Sequence, residues 1–229
     1  RGMEAADRVI TVSDLTRNIV ITKYGIDPSK VVTVHNAVDF SGRSEIQVER
    51  GVKEKVVTFL GRITFQKGPE YFIEAAAKIL KKCKNVRFVM AGSGDMMNRS
   101  IRQVARLGIS DRFHFTGFLR GAEVQKMFAL SDVYVMPSVS EPFGISPLEA
   151  MRSGVPSVIS RQSGAAEVLK YAFKVDFWDV DAMADEIYAL LQYPALADFA
   201  SKYGYDEVNT LKWNNAAAKI KSVYESVIK

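Results

Sequence analysis

Apolar and polar residues alternate along this chain in two rhythms. Short runs dense in Val, Ile, Phe and Tyr occur at VVTFLG (56–61), VRFVMAG (86–92), RFHFTG (112–117), DVYVMP (132–137) and VPSVIS (155–160), and predict strands. Between them, apolar positions recur every three or four residues. In PEYFIEAAAKILKKC (69–83), Phe72, Ala76, Ile79 and Cys83 fall on one helical face. Pro69 suits a first helical turn, where its missing N–H costs nothing. AEVQKMFALS (122–131), PLEAMRSG (147–154) and DAMADEIYALLQY (181–193) read the same way. Strands and helices alternating at this pace predict a parallel sheet covered on both faces, the doubly wound, Rossmann-like α/β architecture.

The two ends differ from this core. ADRVITVS (6–13), a helix over 14–24 and KVVTVHNAVD (30–39) make one further strand–helix–strand piece. Such a piece cannot bury both of its faces alone, so residues 1–40 are expected to be the tail of a preceding domain, in a chain cut from something longer. SGRSEIQVERGVKEK (41–55) is polar and aperiodic, which reads as a linker over 41–54. The main domain is then 55–212, and the amphipathic WNNAAAKIKSVYESVIK (213–229) is a terminal helix.

Composition narrows the chemistry. The net charge is +5, but Lys and Arg are spread out with no block of five or more, which argues against a nucleic-acid partner. Attraction to a phosphorylated substrate, or peripheral contact with an anionic membrane surface, stays open. No apolar run is long enough for a membrane-spanning helix. The single cysteine, Cys83, excludes an intrachain disulfide and fits a reducing, cytoplasmic setting. With only two histidines, far apart, a zinc site or a Cys–His dyad has little material.

Two loops concentrate the remaining signal. Glu141 and Glu149 stand eight positions apart in SEPFGISPLEAMRSGVP (140–156). Ser146-Pro147-Leu148-Glu149 has capping-box spacing, with Ser146 at N-cap and Glu149 at N3. That leaves Glu141 unexplained, in a loop leaving the 132–137 strand at the end where open α/β sheets bind ligands. The second loop, Gly61-Arg62-Ile63-Thr64-Phe65-Gln66-Lys67-Gly68, places Arg62 and Lys67 beside a helix start, where a guanidinium and an ammonium can hold phosphate oxygens.

Together these stretches resemble the nucleotide-binding half of retaining glycosyltransferases of the GT-B type, family 4. The resemblance is carried by GRITFQKG (61–68), AGSGD (91–95), FTGFL (115–119), ALSDVYVMPS (129–138) and EPFGISPLEAMRSGVPSV (141–158), in family order, and covers roughly residues 55–168. The last stretch holds the family's E-x7-E signature as Glu141 and Glu149. The resemblance implies that Arg62 and Lys67 hold the donor's diphosphate and that Glu149 bonds the ribose. It implies that Glu141 meets the donor sugar near the reacting carbon, with the amides of Phe143, Gly144 and Ile145 beside it. Gly92, Gly94, Phe118 and Leu119 would border the base. It further implies a UDP- or GDP-linked sugar as substrate, no cofactor and no divalent metal. The acceptor, a saccharide, lipid carrier or small molecule, would bind a largely missing N-terminal domain, onto which the terminal helix crosses back. The fragment alone is then expected to bind a nucleotide without transferring sugar.

Other motifs have competing readings. G-x-G in AGSGD lacks the third glycine of a dinucleotide fingerprint. Asp179-Val180-Asp181 spells a metal-binding D-x-D, but Asp181 suits the N-cap of the next helix. His114 alternates with Phe113 and Phe115 as a core or surface strand residue. Asn36-Ala37 stands where the family's hinge has Asn-Gly, QSGAAEVL (162–169) modifies a Gly-rich sugar-side loop, and YAFKVDFWD (171–179) is shortened. A glycoside hydrolase with Glu141 and Glu149 as its acid pair, a GT-B epimerase or phosphorylase, and a nucleotide-binding module without transfer are the rival functions.

Overall fold

The computed structural model describes residues 2–38, 51 and 53–228. Two parallel sheets form. The smaller comprises β1 (Val9–Thr11) and β2 (Val31–Thr33), with α1 (Gly2–Ala5) ahead of β1 and α2 (Asp14–Tyr24) between the strands. The larger has six strands: β3 (Lys55–Leu60), β4 (Val86–Ala91), β5 (Phe113–Gly117), β6 (Val133–Met136), β7 (Ser157–Ser160) and β8 (Phe173–Val175). Its helices are α3 (Pro69–Lys82), α4 (Met97–Arg106), α5 (Ala122–Leu130), α6 (Ser146–Arg152), α7 (Ala165–Val168), α8 (Val180–Gln192), α9 (Pro194–Val208) and α10 (Trp213–Glu225).

The strand order β5-β4-β3-β6-β7-β8, with every pair parallel, is the doubly wound arrangement. One side of the sheet buries Phe59, Phe72, Phe88 and Phe113; the rings of Phe72 and Phe113 meet edge-on at 5.8 Å. The other side buries Phe128, Tyr134, Leu148 and Ile159. The expected cover of both faces fails at one edge. Arg87, Val89, His114 and Thr116 alternate with the buried Phe88, Met90 and Phe113, and remain partly or fully exposed beside α5. Arg87, His114 and Thr116, with only Val89 apolar among these outward positions, suit an edge that packs on one face only.

Capping follows the sequence in kind but not always in position. Ser13 caps α2 by accepting the N–H of Thr16 (3.0 Å). At α8 the cap is Asp179, which accepts from Ala182 N (2.9 Å), and not Asp181. Asp181 lies inside the first turn and pairs with Lys78 at 2.5 Å. Ala37 is buried and, among the described residues, no non-glycine residue has positive φ, so the hinge-side Asn36-Ala37 needs no left-handed turn. Cys83 ends α3 and packs at the edge of the core. The expected linker over 41–54 lies mostly outside the described residues, and α10 ends at Glu225 with only Ala216 buried.

Candidate functional site

Neighbours in sequence part company between β3 and β6, so the loops leaving these strands diverge and open a crevice at their carboxyl ends. The first loop, residues 61–68, is zipped to the turn after β4. Gly61 N donates to Ala91 O (3.0 Å), Ile63 N to Ser93 O (2.9 Å) and Met96 N to Ile63 O (3.0 Å). The approach is so close that a Cβ on Gly92 would lie 1.8 Å from Gly61 O. Gly68, at φ +65°, closes the 3-10 turn Phe65–Lys67 and opens α3, and a Cβ there would lie 2.2 Å from Pro137 O in the second loop.

Gln66 stitches the two loops together. Its carbonyl accepts from Val139 N (2.9 Å), its amide donates to Ser140 O (2.9 Å), and its side-chain oxygen accepts from Arg62 Nη2 at 3.4 Å. Beyond it, the Lys67 ammonium pairs directly with the Glu141 carboxylate. These side chains are only 17% and 11% exposed, so each charge depends on the other for the solvation it has lost. The Glu141 backbone is fixed as well: its N–H donates to Gln162 O (2.9 Å) and its carbonyl accepts from Gly164 N (3.1 Å).

The resulting cleft, of about 480 Å³, is lined by Arg62 and Lys67 from the first loop, Ser146 and Glu149 from α6, and Phe118 and Leu119 from the segment after β5. The Phe118 ring is exposed, with the Arg120 guanidinium 5.0 Å from its centre. Beneath lies Tyr134, fully buried, donating to Ser146 Oγ at 2.8 Å. Burial raises its phenol, the Ser146 hydrogen bond pulls the other way, and the charges of Glu141 and Glu149 add to the rise. Tyr134 therefore stays protonated as a donor.

That bond overturns the expected capping box. Ile145, not Ser146, occupies the N-cap of α6, and no side chain caps it. Ser146 lies within the helix with its hydroxyl engaged by Tyr134, and the Glu149 amide bonds Ile145 O at 3.1 Å. Helix spacing alone could not reveal a partner on β6.

The remaining predicted site residues sit at different depths. Gly92 lines the cleft, whereas Gly94 packs against the Ile63 carbonyl, where a Cβ would lie 2.2 Å away. Gly144, at φ +92°, is wedged against Met136 and Glu141. Phe143 is buried in the core and Ile145 is exposed. Gln66 and Tyr134 were not foreseen: Gln66 lies within GRITFQKG but acts through the distant Ser140, and Tyr134 reads as an ordinary strand residue.

The family model for glycosyl transferases group 1 matches residues 43–207, and the model for Glycosyltransferase Family 4 matches residues 1–41. An uncharacterized glycosyltransferase of Methanocaldococcus jannaschii is 32% identical over 95% of this chain and 60% of its own length. A D-inositol 3-phosphate glycosyltransferase of Mycobacterium marinum is 29% identical over 99% of the chain and 51% of its own. The chain thus spans little more than half of these curated relatives. Among solved structures, Anabaena HepE in complex with UDP and glucose superposes with a TM-score of 0.85 at 22% identity, over 96% of this chain and 64% of that one.

Proposed function

The chain belongs to the glycosyl transferases group 1 family and has the GT-B fold, and from that premise we propose that it forms the donor half of a retaining hexosyltransferase using a nucleotide-diphosphate-sugar. One observation carries the reading: Arg62, Lys67 and Glu149 line a single cleft at the reversal of strand order, and Lys67 is paired there with Glu141.

In this reading the donor's diphosphate lies against Arg62 and Lys67. As the bond from the sugar's anomeric carbon to the phosphate breaks, its electron pair goes to the diphosphate, and the two cations stabilise the growing negative charge. They supply the charge that a divalent metal would otherwise bring. Lys67 exchanges its Glu141 partner for phosphate, which turns the Glu141 carboxylate toward the sugar and its electron-poor carbon. Glu149 accepts from the ribose hydroxyls, and Phe118 with Leu119 borders the base. The UDP and glucose held by Anabaena HepE support a uridine-linked donor. In this reading the acceptor side belongs to the N-terminal part of the GT-B arrangement, of which residues 2–38 supply closing elements, and the 229-residue chain is expected to bind donor without transferring sugar.

Calorimetric titration with UDP and GDP tests the reading. The chain is expected to bind one of them, and Arg62→Ala or Lys67→Ala to weaken binding by about 1.5–3 kcal/mol, as for hydrogen bonds to charged groups. Unchanged affinity in both variants would remove the phosphate loop; sugar transfer by the chain alone would refute the donor-half assignment.

A further inference from the structure

Away from the cleft, one carboxylate joins the two sheet units. Glu167, in α7, accepts the N–H of Asp14 on Oε2 (2.8 Å) and the N–H of Leu15 on Oε1 (2.7 Å). These are the first two amides of α2, and the N-cap Ser13 serves the next one, Thr16. A carboxylate is favoured there by both the unpaired N–H groups and the helix dipole. His35, two residues past β2, donates from Nε2 to Glu167 Oε2 at 2.7 Å. Its ring lies 6.2 Å from that of Phe143.

The segment bearing Glu167 is bonded equally firmly on its other side. Ala165 N donates to Phe143 O at 2.7 Å, and residues 162 and 164 bracket Glu141 through its backbone N–H and carbonyl. Gly164 sits at the pinch point: a Cβ there would lie 2.4 Å from Pro142 O and 2.5 Å from Ser13 Cβ. Residues 162–167 therefore link α2 and His35 to the loop 141–143 without a break. The ligand atoms of Asp14, His35 and Glu167 fall within 4.8 Å of one another, a spacing a cation could use. Yet the Glu167 oxygens already accept three N–H donors, and Asp14 Oδ1 accepts the Thr33 hydroxyl at 2.6 Å. The set is satisfied as a clasp.

We propose that Glu167 is a positioning residue: it clasps the 2–38 unit onto the segment that carries Glu141 and Phe143, and so fixes where these residues meet the donor's sugar. This rests on the donor-site reading above. It also makes the sugar end of the site, rather than the Arg62 end held by the turn after β4, sensitive to the link between units.

Hydrogen–deuterium exchange of the 229-residue chain, with titrations of UDP and UDP-glucose, tests the clasp. Glu167→Ala should speed exchange about tenfold or more at Asp14 and Leu15, through loss of charged hydrogen bonds, and speed it at residues 141–145 as well. It should weaken UDP-glucose binding several-fold more than UDP binding. Glu167→Gln, which keeps the size and one acceptor oxygen, should fall between the two. Faster exchange at residues 14 and 15 alone, with an unchanged UDP-glucose to UDP ratio, would reduce Glu167 to a helix cap and overturn the proposal. So would added Zn²⁺ slowing exchange at those amides, which would make the trio a metal site. A wild-type chain that binds neither UDP nor GDP would remove the donor reading, while the exchange pattern would still decide the clasp.

Discussion

Removing the Lys67 ammonium should do two things that removing the Arg62 guanidinium does not. Lys67 is the partner of a Glu141 carboxylate that is only 11% exposed, whereas Arg62 is exposed and bonds Gln66 at a long 3.4 Å. Lys67→Ala leaves a mostly buried charge unpaired and should cost roughly 1–3 kcal/mol of stability in urea denaturation. Arg62→Ala should stay within about 0.5 kcal/mol. Equal losses would show that the Lys67–Glu141 pair carries little. Tyr134 makes a pH prediction. Burial raises its phenol in the fold, so the unfolded chain releases that proton first as pH rises. The stabilisation is complete below the unfolded value, about 10, and is lost above it toward the folded value. Tyr134→Phe should flatten this alkaline loss, and an unchanged slope between wild type and variant would contradict it. Glu141, Glu149, Arg62 and Lys67 stand out as candidates in the sequence because charged residues in Gly-bearing loops after strands carry local signals, and the fold brings their two loops together. Ser146 was misread because its true partner, Tyr134, lies on another element.

Elements that declare themselves by periodicity were found where expected: the predicted helix over 14–24 coincides with α2, and 69–83 with α3 to within a residue. Those that pack by small or few residues escaped. α9 buries Ala200, Gly204 and Val208, a stripe whose central glycine reads as a helix breaker. It is tolerated because α6 comes close there: a Cβ on Gly204 would lie 2.8 Å from Met151 Cε. α4 is mostly polar and buries only Ser100 and Val104, and β8 is three residues long, so neither has the apolar density that marks the other elements. Gly204→Leu would force α6 and α9 apart, at a cost of about 1–3 kcal/mol for overpacking. Because Glu149 rides on α6, UDP binding should weaken in parallel with stability. Full affinity in a destabilised variant would show that α9 does not hold the site.

For the molecule as a whole, the order of strands decides where chemistry can sit. The alternation of strands and helices predicts a parallel sheet, but not which strands flank the reversal, because that depends on pairing between distant segments. Once β3 lies beside β6, the two loops that the sequence marks separately must face each other, and the ion pair between Lys67 and Glu141 records their meeting. The open outer face of β4 and β5 follows from the same order, since β5 is the edge strand with β4 beside it, and Arg87, His114 and Thr116 occupy that face. The central claim is that a nucleoside diphosphate occupies the cleft at this reversal. Amide chemical-shift mapping of the ¹⁵N-labelled chain during titration with UDP and with GDP tests it most directly. The account predicts saturable shifts confined to residues 61–68, Gly92, Phe118, Leu119 and residues 143–149. Saturable shifts centred on any other surface, or none with either nucleotide, would contradict it.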